Sequence, residues 1–303
     1  MTAPTIICLG HAALDRIYHI AAFPPVPQKL RAHGVEEVGG GMAANAAVAA
    51  ARLGARVAFC GRVGEDLAGQ AIRAGLVAEG IDTAGLRGFA GGQSSTSAVI
   101  VDAQGERLLV NHRGAGLAEG ADWLDLAPVA TARAVLADVR WPAGALALFR
   151  AARAAGVATV LDGDIGAGAA LPGLLALADY AVFSTPGLAE FAPGDPAAAL
   201  DRVRALGPAH AGVTMGAQGY LWRDAAGLHH GPACAITPVD TSGAGDAFHG
   251  GFVWALAAGR PVAECVALAQ AVAAIKCLSP GNRAGLPDQA GLAAFIAAAA
   301  PPA

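Results

Sequence analysis

The sequence predicts an α/β protein: a mostly parallel central sheet with helices on both faces, and a small additional β layer. Three observations predict it. In the second half, short apolar runs alternate with helical stretches: AVLADV, VATVLD, YAVFS and AGVTM each read as a strand. Strands that alternate with helices imply parallel pairing through crossover helices. The 303 residues are 55% hydrophobic and only 15% charged, which is a globular composition with enough chain for a sizeable core. No linker, repeat or low-complexity tail interrupts the rhythm, so residues 1–303 read as one domain.

The elements follow in order. Thr5 to Leu9 is a short apolar run that ends in Gly10, a buried strand. Ile17 to Ile20 alternates weakly before the proline-rich AAFPPVPQK. In VGGGMAANAAVAAARLGA, three glycines open an alanine-rich helix that Gly54 closes. Val57 to Cys60 reads as a strand, GRVGEDLAG as a loop and Ala71 to Gly80 as a helix. Ser97 to Val101 and Arg107 to Val110 flank DAQGE and form a hairpin. The later strands are each followed by helix, to Ala155 after the first and to Ala178 after the second.

Composition excludes several classes of function. The formal net charge of −4 gives no basic field for nucleic acid, although local charge still permits a small anionic substrate. The N-terminus MTAPTIICLG lacks the basic region and cleavage site of a signal peptide. The apolar GLAAFIAAAAPPA is too short for a membrane span. Cys8, Cys60, Cys234, Cys265 and Cys277 include no CxxC pair, and they read as buried thiols of a cytoplasmic protein.

The stretch DTSGAGDAFHG, Asp240 to Gly250, carries the chemistry. Small residues precede Asp246 at the start of an apolar helix. The first turn of a helix offers unpaired N–H groups and the positive end of a dipole. Side chains as small as those of Gly243, Ala244 and Gly245 let an anion approach that backbone. A carboxylate beside such a hole can take a proton from a hydroxyl while the N–H groups hold a transferring phosphoryl. Taken alone, Asp246 could equally be a helix cap. The chain has no P-loop and no G-x-G-x-x-G after its first strand.

The whole stretch DTSGAGDAFHGG resembles the C-terminal signature of the ribokinase-like, or PfkB, sugar kinases. GGGMAANAAVAAARLGARVAFCGRVGEDLAGQ resembles that family's first signature. The resemblance runs from Ile6 through Pro287. It implies a three-layer α/β/α fold with a small β lid formed by residues of about 13–36 and 95–113. It implies that Asp246 is the catalytic base and that the N–H groups of Gly243, Ala244 and Gly245 form the anion hole. Asp15, Gly40, Gly41 and Asn45 would bind sugar hydroxyls. Thr214, Gly216 and Gly219 would belong to the ATP loop. Asp240 and LSPGNRAG resemble the loop for a monovalent cation such as K⁺. Independently of the resemblance, a small lid sheet leaves edges that pair, so a homodimer through the lid is expected.

Two stretches depart from the family pattern. Where the family carries Asn-x-x-Glu, linked to Mg²⁺ and phosphate, this chain reads Ser184-Thr-Pro-Gly187. Mg²⁺ would then arrive with ATP. The strand end LDGD, with Asp162 and Asp164, replaces Asp-x-Asn.

Lys29, Asn111 and Arg140 pose the question of the substrate. Two lie in lid segments and the third ends a strand, at the edge where open α/β sheets bind ligands. Read from spacing alone, Lys29 is better explained as a solvated lid charge and Arg140 as a surface residue. If they converge, they suit a tetrahedral oxyanion. Taken together, GERLLVN, VLADVRW, TVLDGDI, FSTPGLA and GNRAGLPD look similar to the bacterial sulfofructose kinases. That likeness implies phosphorylation of 6-deoxy-6-sulfofructose at O1 with these three residues on the sulfonate and His112 and Arg113 nearby. Alternatives are a neutral ketohexose, ribose or a sugar phosphate as substrate, or a non-catalytic sugar-binding module. His249 reads as a pocket or core histidine.

Overall fold

The structure, a computed structural model, describes residues 3–299. The N-terminal part contains β1 Thr5–Gly10, β2 Ala13–His19, β3 Gly34–Gly40, α1 Met42–Arg52, β4 Arg56–Gly64, α2 Leu67–Ala78, β5 Leu86–Phe89, β6 Ser95–Val101 and β7 Arg107–His112. The middle contains β8 Ala134–Asp138, α3 Pro142–Ala154, β9 Ala158–Gly163, α4 Leu171–Leu175, β10 Tyr180–Ser184, α5 Thr185–Phe191, α6 Pro196–Arg204 and β11 His210–Thr214. Then follow β12 Tyr220–Arg223, β13 Leu228–Gly231, α7 Ala244–Ala257, α8 Val262–Cys277 and α9 Gln289–Ala299.

The main sheet has nine strands in the order β13-β12-β11-β10-β9-β8-β1-β4-β5. It is parallel from β5 to β11, and β12 and β13 add an antiparallel edge. Chain order reverses beside β1, which pairs with β4 on one side and β8 on the other. Such a switch point leaves a crevice at the strands' C-terminal ends. Two apolar clusters cover the two faces. One gathers α1, α7 and α8; the other gathers α3 and the helices that follow it, α4 to α6.

The lid is a separate four-stranded sheet, β3-β2-β6-β7. It is larger than residues 13–36 and 95–113, because β3 runs to Gly40. Two of the glycines expected to open the first helix are therefore strand residues, and only Gly41 caps α1. Their low propensity is overridden by pairing with β2, where Ala13 faces Gly40. The GRVG segment expected as a loop continues β4, paired with β1 and β5. The β12–β13 hairpin breaks the expected strand–helix alternation.

The alanines of α1 have a packing reason. Residues 43–50 are all buried, and α1 lies directly on α7. A Cβ on Gly250 would stand 2.5 Å from the Ala46 carbonyl oxygen and 2.5 Å from the Ala49 Cβ. Only small side chains allow two helices this close, so Asn45 of α1 meets Asp246 of α7.

Candidate active site

A cavity of about 330 Å³ opens at the switch point, beneath the lid. Asp15, Gly41, Asn45, Asn111, Arg140 and Asp246 all line it, although they come from five separate stretches of chain.

Asp246 lies in the first turn of α7, and its carboxylate does not cap the helix. Gly243 holds the cap position in the left-handed conformation, φ 70°. One carboxylate oxygen of Asp246 instead accepts from Asn45 Nδ2 at 2.7 Å. The Asn45 amide is oriented by Arg283, whose Nε donates to Asn45 Oδ1 at 2.8 Å. Asn45 is thereby engaged with Asp246 and Arg283, where the resemblance expected a sugar hydroxyl. Burial pushes the Asp246 carboxyl up to about 6; Asp138 and Asp164 act the same way, while Asn45 and Arg283 oppose. Burial also pulls Arg283 down to about 10. A carboxylate poised near 6 suits a general base at neutral pH.

The helix start expected to form the anion hole is partly engaged. Ala244 N–H donates to the Thr241 carbonyl at 3.2 Å. The N–H groups of Gly243 and Gly245 point from the same helix start, where no preceding turn supplies acceptors.

Asp15 projects from β2, and its carboxylate accepts from Asn282 Nδ2 at 3.1 Å. Gly40 faces it from β3: a Cβ there would stand 2.3 Å from an Asp15 oxygen. His11, Arg62, Ser95, Ser97 and Asn282 also line the cavity; Arg62 and Asn282 fall inside quoted motifs, but none of the five was named individually as a site residue. His11 is fixed by its N–H to Asp138 at 2.7 Å and its Nε2 to Ser95 Oγ at 2.9 Å.

Asn111 bonds Ser97 Oγ at 3.1 Å across the β6–β7 pair. Arg140 pairs with Asp164 at 2.8 Å through Nη2, while its buried Nη1 has no hydrogen-bond partner. Arg113 lines the same wall. Lys29 does not converge with them. It is exposed in the connection between β2 and β3, beyond the end where His19 pairs with Gly34, whereas Asp15 and Gly40 occupy the opposite end. His112 is exposed on β7 and is not among the lining residues.

Thr214, Gly216 and Gly219 lie at the C-terminal end of β11 and the turn after it, outside this cavity. Ser184 caps α5, accepting from Gly187 N–H at 3.0 Å and donating to Asp164 at 2.7 Å. With no carboxylate at 187, this stretch does not supply the expected Mg²⁺ contacts. Among the described residues no group of three or more His, Cys, Asp or Glu could hold a metal ion. His249 is buried in the core, bonded to the Gly245 carbonyl at 2.8 Å and 3.3 Å from Asp162. Burial holds its basicity low and pushes the Asp162 carboxyl well up. Asp240 pairs with Arg107 at 2.9 Å and takes N–H bonds from Ser242 and Gly281. Among the described residues, no helix is long and apolar enough to cross a membrane.

A buried carboxylate at a helix start, a second carboxylate across the cavity and a β lid over a sheet crevice are the features the comparisons can be set against. The profile of the pfkB family carbohydrate kinases matches residues 3–289, and the chain belongs to that family. Ribokinase of Bacillus subtilis is 28% identical over 287 residues, covering 94% of this chain and 96% of that protein. The ATP-dependent ribose-1-phosphate kinase of Halopiger xanaduensis is 29% identical over 303 residues, with 96% and 97% coverage. The crystal structure of an Agrobacterium tumefaciens protein assigned as a ribokinase superposes with TM-score 0.92 at 34% identity, covering 98% of both chains. The fold is ribokinase-like, and the chain is an ATP-dependent carbohydrate kinase.

Proposed function

We propose that this kinase phosphorylates 6-deoxy-6-sulfofructose at O1. The observation that carries the reading is Arg140 Nη1, a buried guanidinium nitrogen without a partner on the wall shared by Arg113 and Asn111. An unpaired buried donor is unfavourable until an acceptor fills it. A sulfonate there would take charge-assisted bonds from the arginines and an amide N–H from Asn111. Lys29, outside the cavity, has no part in this grip.

Asp15 would hold the sugar hydroxyls, with Gly40 and Gly41 giving the ring room. Asp246 takes the proton from the C1 hydroxyl, and that oxygen attacks the γ-phosphorus in line as the bond to the β–γ bridging oxygen breaks and ADP leaves. The N–H groups of Gly243, Gly245 and Ala244 hold the charge that builds on the phosphoryl oxygens. Mg²⁺, when bound with ATP, would supply neutralisation of phosphate charge, with no carboxylate from the 184–187 stretch to hold it. Thr214, Gly216 and Gly219 flank the nucleotide. The availability of Asp246, not used as a cap, argues against a non-catalytic binding module.

A sugar phosphate is the second reading. The same arginines suit phosphate, and a relative named as a ribose-1-phosphate kinase is similar over nearly the full chain. A homodimer would cover the lid, where Leu108, Leu109 and Val110 of edge strand β7 are 50%, 60% and 61% exposed. Five free thiols suit a reducing cytoplasm. The test is ADP release with MgATP on sulfofructose, fructose, fructose 6-phosphate and ribose. Strong preference for sulfofructose is expected. Preference for a neutral sugar refutes the sulfonate reading and leaves the kinase intact.

A further inference from the structure

The family resemblance implies a monovalent cation beside Asp240 and the 278–285 loop. The residues there do not fit that cation, because they bring cations of their own. Lys276, in the last turn of α8, is fully buried. Its Nζ donates to the Asp240 carbonyl oxygen at 2.7 Å and stands 3.9 Å from the Asp240 carboxylate. Arg107 reaches the same carboxylate from β7 of the lid, at 2.9 Å.

Asp240 is the point where two functional loops are tied. Its carboxylate accepts from Ser242 N–H at 2.7 Å, on the loop that leads into Gly243 and α7. It also accepts from Gly281 N–H at 2.9 Å, on the loop that carries Asn282 and Arg283. Those two residues bond Asp15 and Asn45. The loop before α7 and the loop after α8 therefore share one carboxylate, and that carboxylate faces a buried ammonium. Burying a lysine charge is expensive unless oxygen partners surround it. Here a carbonyl and a carboxylate supply oxygens of the kind that bind a bare cation. With Lys276 and Arg107 both beside one carboxylate, a third cation meets repulsion.

We infer that Lys276 is a built-in cation: its ammonium does the work expected of a monovalent ion, positioning the 240–245 loop, so that turnover needs no added K⁺. Lys276 is a positioning residue, since it acts through Asp240 and touches neither substrate. The inference rests on the kinase reading of Asp246.

The test uses full-length protein in a buffer whose only monovalent cation is tetramethylammonium. ADP release with MgATP and thermal melting are followed as K⁺ is added, for wild type, Lys276→Ala and Lys276→Met. Wild-type kcat and Tm are expected to be unmoved by K⁺. Lys276→Ala should lose kcat with sugar KM little changed, and regain kcat and Tm on addition of K⁺ or ammonium. Lys276→Met fills the space without the charge, so it should lose kcat and gain nothing from K⁺. Saturable activation or stabilisation of the wild type by K⁺ overturns the inference, as does wild-type kcat in Lys276→Met. If the variants do not fold, the wild-type melting titration still decides, since an ion that binds only the folded state raises Tm by mass action. Failure of the wild type to turn over any sugar in either buffer refutes the kinase reading instead, and the melting titration then judges Lys276 by itself.

Discussion

The two walls of the cavity are built differently. The catalytic wall is locked by packing and by a chain of bonds: Gly250 against Ala46 and Ala49, then Arg283 to Asn45 to Asp246. The opposite wall is held by one ion pair, Arg140 to Asp164, and by lid residues of an exposed edge strand. On the first wall every polar atom of Asn45 named above is committed. On the second, Arg140 keeps a free donor. On the proposed function, the difference teaches that chemistry is placed by the rigid helices and sugar choice by the wall that still has bonds to make.

Breaking the catalytic wall should have the largest effect. Asp246→Asn should lower kcat by about 10²–10⁴-fold, the usual contribution of a positioned base. It should not weaken the fold. Because burial raises the Asp246 pKa above its ordinary 3.8, the folded state binds the proton more tightly than the unfolded chain. This group therefore favours folding at low pH, and that contribution is lost as pH rises from about 4 to about 6. The variant should match or exceed wild-type Tm at pH 7, checked by thermal melting; a large fall would mark Asp246 as structural.

Breaking the second wall should be milder and selective. Arg140→Ala should raise KM for sulfofructose by about ten- to a hundredfold, the worth of a charge-assisted bond, with fructose nearly unchanged. Steady-state kinetics on both sugars checks it, and equal losses would count against a sulfonate pocket. The packing beneath the catalytic wall is tested by Gly250→Val. The added methyls have no room between α1 and α7, so stability should fall by about 1–3 kcal/mol by denaturant titration. Unchanged stability would mean that the helices separate easily.

Much of this was legible in the sequence. The run Gly243-Ala244-Gly245-Asp246 announced a helix start beside a carboxylate, with capping and catalysis equally open for Asp246 on its own, and the alanines announced the helix α1. Asp15, Asn45, Asn111 and Arg140 do share one cavity. Lys29 does not line this cavity within one chain, because proximity in sequence to a lid strand says nothing about which end of the strand a connection leaves from. The β3 strand was missed because Gly39 and Gly40 are poor strand formers on their own, and pairing with β2 overrides that. Arg283 was legible only as part of the LSPGNRAG loop, and Lys276 not at all. Their contacts depend on α8 and its following loop returning to α1 and to the stretch before α7, a long-range arrangement with no local pattern.

The smallest effect is the most direct test of how the base is tuned. The measurement is the pH dependence of kcat/KM in wild type and in Arg283→Ala. The wild-type rate should fall on the acid side with a midpoint near pH 6, where Asp246 takes up its proton. Loss of the Arg283 charge should move that limb to higher pH. A wild-type profile with no acid limb in this range, or one that Arg283→Ala leaves in place, would contradict Asp246 as the base held by Asn45 and Arg283.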